Sequence, residues 1–296
     1  MDDVIIVGGS FAGLTAAMQL GRARRKVTLL DSGLPRNRFA AHSHGVLGHD
    51  GKAPGDILAA GRAELAAYPS VRIINAKAAA AGGAMDDFSI TSDDGETLRA
   101  RRLVLSYGIT DQFPDLPGFA ESWGKSVLHC PYCHGFEVGD QRLGLLYVAE
   151  FSLHMASLLL DWSRDLTLFA DGKDIPAEDR DRLAARGVTI VDPKVTALEN
   201  QAGQLSAIAL ADGRSVGLDA LFAHPRNAPA CTLHAQLGVD MVETPLGLAT
   251  KLLERQATSV PGIYAGGDLA SGMHSVPLAL SSGSIAGVAA HQSMLA

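Results

Sequence analysis

Cysteine is scarce in this chain: three occur in 296 residues, at Cys130, Cys133 and Cys231. That excludes a scaffold stapled by several disulfides, and a close thiol pair then reads as catalytic or metal-binding. Positive charge is also short, with 25 Lys and Arg against 32 Asp and Glu and a net charge of −7. General nucleic-acid affinity rests on cations neutralising phosphates, so none is expected. No apolar run approaches the ~18 residues of a membrane span, so no membrane partner is expected. The start, MDDVIIVGG, has neither a basic leader nor a cleavage site, and the expected location is the cytoplasm. What is present is a globular composition, 47% apolar and 19% charged, at a length that suggests about two domains.

The N-terminal stretch reads as a strand, a glycine turn, a helix and a second strand. Val4–Val7 is a continuous apolar, β-branched run, as in a strand buried on both faces. Gly8, Gly9, Ser10, Phe11, Ala12 and Gly13 follow, then an amphipathic stretch to about Arg24 and a strand at 27–30 ending in Asp31. A glycine turn opening a helix offers free N–H groups and a dipole to a pyrophosphate. Asp31 follows Gly8 at roughly the 20 residues expected of a carboxylate that bonds a ribose hydroxyl. The middle position of the motif is Ser10 rather than glycine, a departure small enough for close backbone approach.

The chain then repeats itself, with something missing. Residues 143–171 again read strand, helix, strand, and the segments 88–108 and 205–225 both read as hairpins around an Asp-Gly turn followed by an apolar strand. This predicts an α/β protein with two Rossmann-like domains of the three-layer nucleotide-binding type, the second inserted in the first. Where the first copy has Gly8 to Gly13, the second has Tyr147, Val148, Ala149, Glu150, Phe151 and Ser152. Side chains would crowd a pyrophosphate there and Glu150 would repel it. No arginine pair follows the second strand to hold a 2′-phosphate.

Two further stretches carry chemistry. Near the C-terminus, Gly266-Gly267-Asp268 makes a tight turn after a short strand, and a helix rich in small residues begins at Val276. Asp268 is placed to bond a ribityl chain, and the small residues would let the helix approach a flat ligand. In HCPYCHGFE, Cys130 and Cys133 are two residues apart, with His129 before and His134 after. A structural zinc site needs four ligands, usually two pairs, and only one pair is here, so no metal is expected. Reversible dithiol–disulfide exchange fits the spacing best. His134 is a candidate acid or base near neutral pH, or else a residue that only bonds loop backbone.

The ordered combination of GGSFAG, CPYC and GGD resembles the low-molecular-weight thioredoxin reductases over nearly the whole chain. That resemblance implies FAD as cofactor, bound by Gly8, Gly9, Ser10, Phe11, Ala12, Gly13, Asp31, Gly108, Gly267, Asp268 and Val276. It implies an FAD domain of 1–114 plus 226–296 and a CxxC domain of 115–225, Cys130 exchanging with substrate, Cys133 facing the flavin, and a homodimer. The lost second glycine loop, His134 in place of an acid, and HSHGVLGHDG at 42–51 are closer to the dithiol oxidases of the gliotoxin and holomycin type. Those enzymes close disulfides in small dithiols and pass the electrons through FAD to O2. His42, His44 and His49 are expected to line the flavin or substrate pocket, or to sit on a surface loop. The partner would be a small-molecule or peptide dithiol or a thioredoxin-like protein. Two alternatives remain: a disulfide reductase using NAD(P)H atypically or a ferredoxin-like donor, and a flavin redox sensor without turnover.

Overall fold

The computed structural model describes residues 1–295. Following the chain, β1 (Asp2–Val7), α1 (Phe11–Arg22), β2 (Val27–Asp31), α2 (Pro54–Leu65), β3 (Val71–Asn75), β4 (Ala78–Ala84), β5 (Asp87–Ser92) and β6 (Thr97–Leu105) come first. After β7 (Ile109–Gln112) come α3 (Phe119–Ser122), β8 (Val127–Leu128), α4 (Pro131–His134), β9 (Leu143–Leu146), α5 (Phe151–Leu159), β10 (Leu166–Phe169), α6 (Ala177–Ala185) and β11 (Thr189–Val191). Then follow β12 (Val195–Gln201), β13 (Gln204–Leu210), β14 (Ser215–Gly217), β15 (Ala220–Phe222) and β16 (Arg226–Pro229). The last are α7 (Leu233–Gln236), β17 (Met241–Thr244), β18 (Gly247–Thr250), β19 (Ile263–Ala265) and α8 (Val276–Gln292).

The chain divides into two compact units. The first comprises residues 1–38, 46–111 and 227–296, and the second 39–45 and 112–226. The short stretch 39–45, expected in the first domain, therefore groups with the cysteine-bearing unit.

The first unit is built on the strand order β3-β2-β1-β6-β5-β4, with β19 also paired to β6. β1 pairs in parallel with both β2 and β6. Because β1 is covered on both faces, Val4, Ile5 and Ile6 are fully buried, which is why the run is continuously apolar rather than alternating. Each such side chain contributes roughly 1.5–3 kcal/mol of transfer free energy. β5 and β6 form the expected hairpin, turning at Gly95 with φ of 90°. α8 packs along α1 at backbone contact: a Cβ added at Gly283 would lie 2.1 Å from the Ala12 carbonyl oxygen, and one at Gly287 would lie 2.7 Å from that of Ala16. Gly283 and Gly287 thus serve helix–helix approach.

The second unit repeats the plan with a parallel sheet ordered β11-β10-β9-β15-β8 and a separate antiparallel sheet β12-β13-β14. Leu143, Leu145, Leu166, Leu168 and Phe222 are buried in its core with Leu153, Ala156 and Leu159 of α5. In both units the chain leaves the central strand in opposite directions, creating a switch point: between β1 and β6 in the first, between β9 and β15 in the second. Ligands of open α/β sheets bind at the carboxyl ends of the strands at such a point.

Candidate active site and cofactor cradle

At the first switch point the glycine turn leaves no room for side chains. Gly8 adopts a φ of 104°, which L-residues rarely take, and a Cβ there would lie 2.3 Å from the Ser106 carbonyl oxygen. A Cβ at Gly13 would lie 1.8 Å from the Gly8 carbonyl oxygen, and one at Gly9 2.5 Å from the Asp31 Cβ. Ser106 ties the turn from the neighbouring strand, its hydroxyl donating to the carbonyls of Gly8 at 2.9 Å and Val7 at 3.1 Å. Ser10 precedes α1 without a side-chain cap, so the first-turn N–H groups of Phe11, Ala12 and Gly13 are left to a ligand. The cradle fits a dinucleotide pyrophosphate.

Asp31 ends β2 beside this turn. Its Oδ1 accepts from the N–H of Gly9 at 3.3 Å and of Gly33 at 3.1 Å, and its Oδ2 from Arg62 on α2. A carboxylate has about four acceptor positions, which leaves capacity for a ribose hydroxyl. Gly108, after β6, has φ of 69° and accepts from the Ala230 N–H at 3.1 Å. The Gly267-Asp268 turn lies in the same unit. Gly267 has φ of 74° and its N–H donates to Ser282 of α8 at 2.9 Å. Val276 opens α8, where Ser275 accepts from the Leu278 N–H at 3.3 Å.

One residue the sequence reading missed organises this corner. Arg36 donates through Nε (2.8 Å) and Nη2 (2.6 Å) to Asp111 and through Nη1 to Asp268 at 3.0 Å. Burial works against its charge, but the hydrogen bond and charge of Asp111, with those of Asp268, outweigh it and raise its proton affinity. No periodicity or spacing signals a triad drawn from such distant positions.

At the second switch point side chains stand where the first has glycines. A short loop joins β9 to α5, and its Val148 N–H donates to the buried Ser152 hydroxyl at 3.1 Å, so the protein itself takes up that amide. The Phe151 ring meets the ring of His224, just beyond β15, edge to face at 5.3 Å. His224 in turn meets His129 at 5.2 Å. It is buried, and burial lowers its proton affinity to about 4.

The cysteines sit on the second unit, where the chain leaves β8. Cys130 precedes the single turn α4, with Pro131 at its first position fixing φ. Cys133 donates to Cys130 with the sulfurs 2.7 Å apart. That hydrogen bond, against the effect of burial and helped by the N–H groups of Cys133 and Tyr132, lowers the Cys130 thiol to about 7. His134 closes the turn, its N–H donating to the Cys130 carbonyl at 3.2 Å. Its imidazole meets the His44 ring edge to face at 6.4 Å, and His44 Nε2 lies 3.3 Å from Glu137 Oε1. His42 follows at 6.4 Å from His44. Burial pushes His134 below its ordinary proton affinity, Glu137 opposes this and His44 adds to it. Of the sequence-level candidates, His134 and His44 are therefore brought together on the cysteine-bearing unit, whereas His49 lies in the first unit, its Nδ1 3.2 Å from the Lys52 amine. His129 packs inward on Trp123 and His224. Cys231 belongs to the first unit, half-buried beside the core. Among the described residues no group of three or more His, Cys, Asp or Glu is arranged to hold a metal.

Comparison with known proteins agrees with this construction. Residues 2–283 match the family described as pyridine nucleotide-disulphide oxidoreductase. The chain is 31% identical to the thioredoxin reductase tcpT of Claviceps purpurea over 99% of its own length and 94% of that relative. It is also 31% identical to sirT of Leptosphaeria maculans, another thioredoxin reductase, over 96% and 92%. Among solved structures, an oxidoreductase from Agrobacterium tumefaciens superposes with a TM-score of 0.95 at 41% identity, covering 99% and 98% of the two chains. HlmI superposes at 0.92 with 36% identity, covering 99% and 92%. With its glycine cradle intact, its two α/β units and its CxxC pair, the chain belongs to the pyridine nucleotide-disulphide oxidoreductase family as an FAD-dependent, thioredoxin reductase-like enzyme.

Proposed function

We propose that this enzyme oxidises a dithiol to a disulfide, with O2 as the final acceptor. The observation that carries the reading is the second switch point, where side chains stand in place of glycines. Ser152 takes up an amide of the loop, and Phe151 at the start of α5 meets the ring of His224 just beyond β15. That lining offers a nicotinamide dinucleotide no glycine cradle, which favours entry of electrons by another route. The cysteine pair supplies one.

Starting from the oxidised pair, a substrate thiol attacks one sulfur of the Cys130–Cys133 disulfide. His134 takes the thiol proton as the new S–S bond forms, and the other cysteine leaves as a thiolate. His134 passes that proton to the released thiolate and takes the proton of the second substrate thiol. That thiol attacks the mixed disulfide, closes the substrate disulfide and releases the remaining cysteine, to which the second proton goes. Two protons and two electrons have moved from substrate to the pair. The depressed thiol of Cys130, at about 7, keeps a large thiolate fraction at neutral pH, held by the hydrogen bond from Cys133. FAD, held by the Gly8–Gly13 turn with Asp31 and Asp268, would supply the two-electron acceptor that empties the pair toward O2.

The names of tcpT and sirT favour a second reading, reduction of a thioredoxin. Anaerobic bleaching of the flavin separates the two. A small dithiol is expected to bleach it and NADPH or NADH is not, and air is expected to restore the colour with formation of peroxide. Fast bleaching by NADPH would overturn the proposal and favour the reductase.

A further inference from the structure

The segment 39–45 is far from the cysteines in sequence yet belongs to their unit. It is seated at its start, where Gly124, with φ of 76°, lies against Phe39: a Cβ on that glycine would be 2.8 Å from the Phe39 Cβ. The segment then delivers His44 to the turn that carries the cysteines, with its imidazole edge to face with His134 at 6.4 Å and its Nε2 3.3 Å from Glu137. Glu137 stands on the same short stretch as His134. His44 is thus held between a carboxylate and the imidazole beside the redox pair.

We propose that His44, held by Glu137, is a positioning residue for His134: the pair orients the imidazole that exchanges protons with the cysteines and biases its charge. The inference rests on the proposed dithiol oxidation, because that reaction moves two protons between substrate and cysteine sulfurs through one imidazole. A base at this point has to be neutral when the substrate thiol arrives. Burial favours the neutral form, the Glu137 carboxylate opposes it, and the electrostatic effect of the neighbouring His44 ring favours it. His42, 6.4 Å beyond His44, is the remaining titratable ring on the segment that faces this group, and Cys130, Tyr132 and Cys133 are the other titratable groups on the turn itself.

The test is a pH profile taken on the flavin-loaded enzyme. The anaerobic rate of bleaching by dithiothreitol is followed from acid to neutral pH, and the His134 ring protons are titrated in parallel by NMR. In His44→Gln that electrostatic effect is gone, so the imidazole keeps its proton to higher pH and the acid limb moves up. In Glu137→Gln the attraction is gone and the limb moves down. A half-unit to one-unit displacement gives about a three- to tenfold rate change on the limb. A purely structural role for the segment would lower flavin content or melting temperature without moving the limbs in opposite directions. Limbs that stay in place, or that move the same way, overturn the proposal. If dithiothreitol does not bleach the unsubstituted enzyme, the oxidase reading has failed. The NMR titration then judges the His44–Glu137 pair alone, since the same opposite displacements are expected there.

Discussion

At the scale of single residues, the chemistry turns on one hydrogen bond between two sulfurs. Cys133 donates to Cys130, and the thiol of Cys130 falls to about 7. In Cys133→Ala the donor is gone, and the Cys130 thiol is expected to climb back toward the ordinary value of about 8.5. The rate of alkylation of the reduced protein by iodoacetamide against pH reads this directly. At pH 7 the variant's thiolate fraction, and with it the rate, is expected to fall severalfold, and an unchanged midpoint would remove the hydrogen bond as cause. The CxxC spacing made this pair legible from sequence, because two residues between cysteines bring the sulfurs within reach. His134 was legible for the same reason, being adjacent. His44 and Arg36 were not legible in their roles. Their partners are supplied by segments tens of residues away, and no local pattern encodes a contact that only the fold creates.

At the scale of elements, the glycine turn and the loop before α5 occupy equivalent places and behave oppositely. The turn between β1 and α1 is shaped by close backbone approach, so a single methyl is expected to destroy it. Gly13→Ala would place a Cβ 1.8 Å from the Gly8 carbonyl oxygen. Its purified protein is expected to lose most of its flavin, with affinity for FAD down at least tenfold, about 1.4 kcal/mol. Titration of the apoprotein with FAD by flavin fluorescence checks it. Arg36→Met acts on the same cofactor corner from the outside by leaving Asp111 and Asp268 without their cation. Removing one partner of such a half-buried pair costs about 1–3 kcal/mol, and thermal unfolding of the apoprotein is expected to show the loss. The strand–turn–helix–strand plan was legible because a continuous apolar run and a period-3.6 stretch mark a buried parallel strand and its helix. The exact reason for the small residues of α8 was not. Sequence shows that Gly283 and Gly287 are small, but not that α1 is what they face.

The chain just beyond β15 brings its own pH dependence. His224 is held neutral against Phe151 and His129, with its proton affinity lowered to about 4 by burial. The unfolded chain takes that proton near 6.5, about the ordinary value for histidine. Between those values the unfolded state binds more protons than the folded one, so stability rises with pH. It is complete above about 6.5 and falls as pH drops toward 4, by on the order of 3 kcal/mol from this group alone. Denaturant unfolding at several pH values is expected to show this slope, and His224→Phe, which keeps a ring against Phe151, is expected to flatten it. A slope that survives the substitution would assign the acid sensitivity elsewhere.

At the scale of the whole molecule, one topology has been used twice and only one copy keeps its glycine turn. Both units place a central strand between neighbours whose connections run in opposite directions, and both follow it with a turn into a helix. In the first, Gly8, Gly9 and Gly13 keep the crevice at backbone distance. In the second, Glu150, Phe151 and Ser152 stand where glycines would have to be, and the His224 ring meets Phe151. The absent glycines were visible in the sequence. The ring that meets them from β15 was not, since a lone histidine before Pro225 carries no signal. A dinucleotide fold with one glycine turn is expected to take up a single flavin per chain. Visible absorbance against protein mass measures that ratio. Equilibrium dialysis of the flavin-loaded protein against NADPH is expected to show no second site. Restoring one glycine by Phe151→Gly is expected to leave this result unchanged, because Ser152 still takes up the loop amide and no arginine pair stands ready for the 2′-phosphate. Saturable NADPH binding to the unsubstituted protein would mean that the second unit admits a dinucleotide by some path other than its switch point, and electron flow would then have to be reconsidered from the nicotinamide toward the disulfide.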